Sequence, residues 1–423
     1  MEVTVPYGEK DAFDIDVPSD QLVGVYNPNP VTKPDATEVI DSALNHPIDS
    51  VSFDDFINTD KKIVFIVNDG TRPTPTAKIL KLIYPKIKGK NISFIVATGV
   101  HRAPTEKEYR FIFGDKIYEE LHARGLIHSH DSKNDPMDYL GKSKNGTEMY
   151  INKIVAEADR VIPISSIEPH YFAGYTGGRK SFLPGVASYK TISENHHLAL
   201  MDSARAMNLK GNPVHEDMMD AMHVLKNLNI FAIETVLDSD HDIYAVTTGD
   251  LNGSFYAGID KAKEVFGVQI PHKADIVISA APYPMDVDLY QSQKALDNGK
   301  LALNKNGILI LVATCRTGIG PKPFYNLLSS EKTAEGVLKK IDQSWHLGYH
   351  KAAKMAQIDT WASTWAVTEL TDEEMRNVHF KPFHDLKTAF SKALAEKGPN
   401  ASVIVLPAGS LTVPEISTAA SNH

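Results

Sequence analysis

Lys61-Lys-Ile-Val-Phe-Ile-Val67 runs directly into Asn68-Asp-Gly-Thr-Arg-Pro-Thr-Pro75. The first stretch is short, continuous and apolar, without the alternation of a half-exposed strand, so it reads as a strand buried on both faces of a parallel sheet. The second is a loop that opens a helix, with Thr74 as N-cap and Pro75 at the first helical position. The same order of apolar run, polar loop and helix-length segment recurs, with further strands at Asn91 to Ala97, Arg160 to Ile164, Ala274 to Ala280, Gly307 to Ala313 and Ala401 to Leu406. This repetition predicts an α/β fold with largely parallel sheets.

A chain of 423 residues exceeds what one hydrophobic core usually serves, so two α/β domains are expected, with the active site in the cleft between them. The boundary falls at Gly267-Val-Gln-Ile-Pro271-His-Lys273, which gives an N-terminal domain over 1–270 and a C-terminal domain over 271–400. The apolar run at Ala401 to Leu406 suggests that 401–423 rejoins the N-terminal domain. A net charge of −9 argues against nucleic acid as a partner, and an anionic substrate must then meet a local basic pocket. The single cysteine, Cys315, excludes internal disulfides and cysteine-based metal sites and fits a reducing cytoplasm, so a metal would need histidine or carboxylate ligands. Met1 to Asp20 carries charges throughout and reads as neither signal nor anchor, and no apolar run approaches the ~20 residues of a membrane span.

In open α/β sheets ligands bind beyond the carboxyl ends of the strands, and the unusual residues gather on those loops. Asp69 and Arg72 follow the first strand, and Arg72 is suited to clamping a carboxylate. Thr98-Gly-Val-His101 follows the second and leads to a capping box at Thr105 and Glu108. The densest segment is Glu168-Pro-His170-Tyr-Phe-Ala-Gly-Tyr-Thr-Gly177-Gly178-Arg179-Lys180-Ser, followed by Asn195-His196-His197. Gly177 and Gly178 permit close backbone approach to a ligand. A Walker-type phosphate loop fails, because Arg179 stands between the last glycine and Lys180. His101, His170 and His196 all lie on this edge, each suited to proton transfer or metal ligation. Tyr290, Gln291 and Lys294 are spaced to share the start of a helix; their plain reading is an exposed surface helix.

Together these motifs resemble those of the nickel-dependent lactate racemase family along nearly the whole chain. The carrying stretches are Asp69 to Pro75, Ala97 to Pro104, His170 to Gly185, Ser188 to His196 and Tyr290 to Lys294. The resemblance implies a racemase or epimerase acting at C2 of a 2-hydroxy acid, lactate or a relative. Its cofactor would be a nickel-pincer nucleotide (pyridinium-3-thioamide-5-thiocarboxylic acid mononucleotide with Ni(II)), supplied by separate biosynthesis proteins. By position, Lys180 would form the thioamide tether, with Asp69, Gly177 and Gly178 also at the cofactor. His196 would be the protein ligand to nickel, with His197 as the adjacent alternative. His101 and His170 would act as the acid/base pair while hydride passes between C2 and the cofactor. Arg72, Tyr290, Gln291 and Lys294 would hold the substrate carboxylate. Two departures bear on the substrate: Tyr349 or His350 stands where the family often carries a tryptophan, and the loop Thr314 to Gly320 contains Arg316. Two readings of another class remain, a nucleotide-using enzyme without nickel and a binding protein for a small acid.

Overall fold

The computed structural model describes residues 1–417. The chain forms two compact units. One comprises Pro30–Ala204 and Asn208–Val265; the other comprises Met1–Asn29, Arg205–Met207 and the chain from Phe266 onward. Both are α/β and built on largely parallel sheets, as the strand pattern predicts.

The seven-stranded sheet of the first unit runs, edge to edge, Ile243–Gly249, Ala232–Leu237, Arg160–Ser166, Ile63–Asn68, Ile92–Ala97 and Ile127–Ser129, with the short Asn229–Ile230 also paired to Arg160–Ser166. Only Ile243–Gly249 is antiparallel to its neighbour. The strand that opens the sequence reading is buried from Ile63 through Val67, and its Phe65 stacks on Phe94 with ring centroids 4.8 Å apart. Helix Thr76–Ile87 covers it with Ile79, Leu80, Ile83 and Ile87, the three-and-four spacing of one helix face. Thr105 and Glu108 form the expected capping box on helix Glu106–Phe113.

The helix after Ile63–Asn68 starts one residue later than expected. Pro75 is its cap residue and Thr74 does not cap it. The Thr74 hydroxyl instead meets Asn68 Oδ1 at 2.9 Å and Ser166 Oγ at 2.8 Å, because the loops leaving the two central strands lie side by side and offer nearer partners. From Ile63–Asn68 the chain steps outward one way, through Ile92–Ala97 and Ile127–Ser129; from Arg160–Ser166 it steps the other way to Ala232–Leu237. This reversal opens a crevice at the carboxyl ends of the two adjacent strands, the place where doubly wound sheets bind ligands.

The six-stranded sheet of the second unit is wholly parallel, in the order Lys381–Phe383, Ser363–Val367, Leu303–Val312, Ala274–Ala280, Val403–Leu406 and Leu22–Val25. The hairpin Glu2–Tyr7 with Asp11–Asp16 packs Val3, Val5 and Ile15 into the same core as Ile276, Ile278, Ile310 and Val405. Two assignments are thereby corrected. Val403–Leu406 does not rejoin the N-terminal domain but pairs with Ala274–Ala280, from Ile276 opposite Val403 to Ser279 opposite Leu406. Residues 1–29, assigned to the N-terminal domain, supply this sheet's edge strand. An all-apolar strand looks alike whichever sheet receives it, so its pairing is not written in its composition. Of the segment 401–423, residues 418–423 lie outside the described residues. Among the described residues no helix is long and apolar enough to cross a membrane.

Candidate functional site

The crevice of the first unit collects most of the residues singled out from sequence. Asp69, 6% exposed, leaves the end of Ile63–Asn68 and receives the Thr71 hydroxyl on Oδ1 at 2.6 Å. Its Oδ2 lies 2.7 Å from His101 Nδ1. Burial alone would push this carboxyl up, but the His101 hydrogen bond and charge, the Thr71 hydroxyl and Arg72 outweigh it and hold the pKa below the usual carboxylate value. Asp69 therefore orients the imidazole of His101, whose side chain is half exposed. A role for Asp69 at the cofactor was expected; the contact it makes within the protein is to His101. Arg72 faces Glu168 at 3.6 Å, longer than a tight charge-assisted pair, so its guanidinium keeps donors for another carboxylate.

His170 ends the two-residue strand Pro169–His170, which folds back on Gly174–Tyr175. Its Nδ1 faces the backbone N–H groups of Phe172, at 3.5 Å, and Ala173, at 3.3 Å. Both contacts are long, and the other ring nitrogen, Nε2, is 3.1 Å from Lys180 Nζ, so a proton between the imidazole and the amine can reside on either group. Burial, followed by the charges of Arg72 and Arg179, pushes the Lys180 pKa well below its ordinary value. A neutral amine is the nucleophilic form of lysine.

His196, 7% exposed, lies on helix Tyr189–His197, and its Nδ1 is 3.2 Å from Asn195 Oδ1. His197 is exposed, which separates the two adjacent histidines. The buried Phe172 ring connects the cluster: its centroid is 4.5 Å from that of His170, 4.9 Å from that of His196 and 5.3 Å from Lys180 Nζ. Among the described residues no group of three or more His, Cys, Asp and Glu side chains is arranged to hold a metal ion.

The turn carrying Lys180 is fixed from beneath by two fully buried charged groups. Arg179 donates to Ala173 O at 2.7 Å and Gly177 O at 3.3 Å, with its guanidinium 4.3 Å from the Phe255 ring centre. Burial brings its pKa down to about 9. Glu234 accepts from Gly178 N at 2.9 Å and from the Ser165 hydroxyl, and burial pushes its pKa up to about 7. Gly177 and Gly178 have φ of +79° and +52°. A Cβ on Gly177 would stand 2.5 Å from Ile167 Cγ1 and 2.9 Å from Glu234 Oε2, and one on Gly178 would stand 2.8 Å from Phe255. Backbone conformation and packing against the protein itself thus already demand glycine at both positions. Glu234 was not singled out from sequence, although a lone acid inside the apolar strand Ala232–Leu237 is a visible signal. Glu168 and Asn195 lie within the stretches singled out from sequence but were given no role there, and Asp217 was missed, with nothing in its sequence context to mark it.

In the second unit, Tyr290, Gln291 and Lys294 open helix Leu289–Gly299 as predicted, capped by Asp288, which accepts from Gln291 N at 2.7 Å. They are half-buried, against the plain reading of a surface helix. Tyr290 packs edge-on to Phe324 at 5.1 Å, and a Cβ on Gly320 would stand 2.6 Å from Tyr290 Cβ. Lys351 Nζ lies 3.7 Å from the centre of the Tyr290 ring and donates to Tyr290 O at 2.6 Å. Arg316 pairs with the buried Asp286, while Leu289 N and Tyr290 N donate to Gly318 O and Ile319 O at 3.2 and 3.1 Å. The Arg316 loop therefore seats the helix that bears Tyr290. In the region where the family often carries tryptophan, His350 is buried, and the Trp345 ring lies 6.3 Å from it.

Two known domains match the chain, the lactate racemase N-terminal domain over residues 7–208 and the lactate racemase C-terminal domain over residues 270–413. The lactate racemase of Thermoanaerobacterium thermosaccharolyticum is 33% identical over 351 residues, covering 80% of each chain. That of Lactiplantibacillus plantarum is 33% identical over 389 residues, covering 88% of this chain and 89% of its own. The solved lactate racemase apoprotein from T. thermosaccharolyticum superposes with a TM-score of 0.89 at 30% identity, over 98% of this chain and 100% of that one. Fold and motifs define a two-unit α/β protein with a histidine- and lysine-bearing crevice. The chain belongs to the lactate racemase family.

Two outcomes follow from the electrostatics of the crevice. Lys180 should react with a limiting amine reagent at neutral pH ahead of the exposed lysines, as read by peptide mass spectrometry; a place among the slowest lysines contradicts an uncharged amine. Glu234 binds its proton more tightly folded than unfolded, so its contribution to stability is present below its unfolded pKa and is lost as pH rises to about 7. The unfolding free energy of the wild type relative to Glu234→Gln should fall by up to about 3 kcal/mol from acidic to neutral pH. A pH-independent difference in denaturation experiments would contradict this.

Proposed function

We propose that the protein is a racemase or epimerase of 2-hydroxy acids, dependent on a lysine-tethered nickel-pincer nucleotide. The carrying observation is the contact of His170 Nε2 with Lys180 Nζ at 3.1 Å, which sets a proton-transfer group beside a nucleophilic amine in a chain of the lactate racemase family. The residues present fit the cofactor. The amine of Lys180 is depressed in pKa, as tether formation requires, and His196 would supply one buried imidazole to the cofactor's metal. The cofactor would supply hydride-accepting and hydride-donating chemistry at C2.

Racemisation needs acid/base groups for the two enantiomers, and His101 and His170 supply them from different loops. One would take the hydroxyl proton of one enantiomer as C2 becomes planar, and the other would give a proton as acid when the opposite configuration forms. Asp69 holds the His101 ring through Nδ1. Arg72 would exchange its long contact with Glu168 for the substrate carboxylate. Tyr290, Gln291 and Lys294 are proposed to hold the same substrate. Lactate is one candidate; the seat made for Tyr290 by Lys351, Phe324 and the Arg316 loop is where a differently substituted acid would be distinguished.

Chiral chromatography of a 2-hydroxy acid panel incubated with cofactor-loaded protein tests this reading. Interconversion of at least one acid is expected, with loss of activity and of the covalent mass increase in Lys180→Ala; a loaded protein that interconverts none defeats it. Asp69→Asn should leave the fold intact and lower kcat by about 10²- to 10⁴-fold, and an unchanged kcat would remove His101 from the acid/base pair.

A further inference from the structure

Beneath His196 lies a buried hydrogen-bond chain that the proposed chemistry leaves unused. Asn195 is 0% and Asp217 1% exposed. Asn195 Nδ2 is 2.8 Å from Asp217 Oδ2 and 3.3 Å from Val214 O. A carboxylate and a carbonyl can only accept, so the amide nitrogen must face them and the amide oxygen must face His196 Nδ1. Asp217, on helix Pro213–Ala221, is itself held by the hydroxyls of Ser143 and of Thr147, the latter at 2.7 Å. Every link therefore has one allowed direction: Ser143, Thr147 and Asn195 donate to Asp217, and His196 Nδ1–H donates to Asn195 Oδ1. The reverse tautomer would set the Nδ1 lone pair against an amide oxygen.

We propose that Asn195 and Asp217 are positioning residues that lock His196 in its Nδ1–H tautomer, so that Nε2 is the nitrogen presented to a metal. This rests on His196 being the nickel ligand. A ligating histidine whose second nitrogen donates to a fixed acceptor keeps its ring orientation and gains basicity, and loss of such a partner typically lowers metal affinity about 10- to 100-fold. The chain also links helix Tyr189–His197 to helix Pro213–Ala221, so a purely structural role must be separated from tautomer control.

The test uses two-bond ¹H–¹⁵N spectra of the full-length, ¹⁵N-histidine-labelled protein without cofactor, with the His196 signals identified by their loss in His196→Ala. The wild type should show a protonated Nδ1 and an unprotonated Nε2. Asn195→Leu should lose this preference, and the exchange Asn195→Asp with Asp217→Asn, which preserves an acceptor toward the ring, should restore it. A protonated Nε2 in the wild type, or an unaltered tautomer in a folded Asn195→Leu, overturns the proposal. The nickel absorption spectrum of the cofactor-loaded protein is the second readout, with a shift from the wild type expected in both Asn195→Leu and His196→Ala. A wild-type spectrum in Asn195→Leu with a shifted one in His196→Ala overturns the positioning role alone; a wild-type spectrum in His196→Ala overturns the ligand assignment and the proposal with it.

Discussion

Everything in the crevice depends on the parallel pairing of Ile63–Asn68 with Arg160–Ser166. The register runs from Ile63 opposite Arg160 to Val67 opposite Ile164, and Val64, Phe65, Val67, Val161, Ile162 and Ile164 are fully buried. A slip of one residue would turn each of these side chains into the packing of the opposite face, where the close-packed neighbours are shaped for other side chains. The loops leaving the two strands start side by side, and only beyond them does the chain turn to opposite sides of the sheet. Thr74 against Ser166 and Arg72 against Glu168 are direct consequences, each joining residues about ninety positions apart.

A buried layer of charge supports this surface. Arg179 and Glu234 are costly to remove from water, and their pKa values of about 9 and about 7 move in the directions that cost requires. What offsets it is a set of hydrogen bonds to backbone groups of Ala173, Gly177 and Gly178. The Lys180 turn and the His170 hairpin thus share one guanidinium as a floor and one ring, Phe172, as a wall. Side chains held from two sides lose little further entropy when a ligand arrives, which is the usual basis of preorganisation.

A chain with a net charge of −9 still carries cations among the residues singled out from its sequence. Arg72 and Lys180 stand in one unit, and Lys294 in the other. In each unit a carboxylate has its own place, Glu168 3.6 Å from Arg72 and Asp288 at the cap of the Tyr290 helix. Local arrangement, not net charge, sets what each surface can bind.

The sequence alone determined the α/β class, the parallel strands, the capping box at Thr105 and the strand-end segments bearing Asp69, Arg72, His101, His170 and Lys180, whereas His196, expected on a loop, lies on helix Tyr189–His197. Those features are written in local composition and spacing. Tertiary structure decided the rest. It sent Val403–Leu406 and residues 1–29 to the second sheet, since an apolar strand carries no mark of its partner. It gave Thr74 to Ser166 in place of the helix cap, set Asp69 on His101, turned Nε2 of His170 toward Lys180, and joined His196 to Asp217 through Asn195. Each of these pairs spans a gap of sequence or a choice of side-chain direction that only the closed sheet and its burial fix, because hydrogen-bond direction and pKa depend on what surrounds a group and not on its neighbours in the chain.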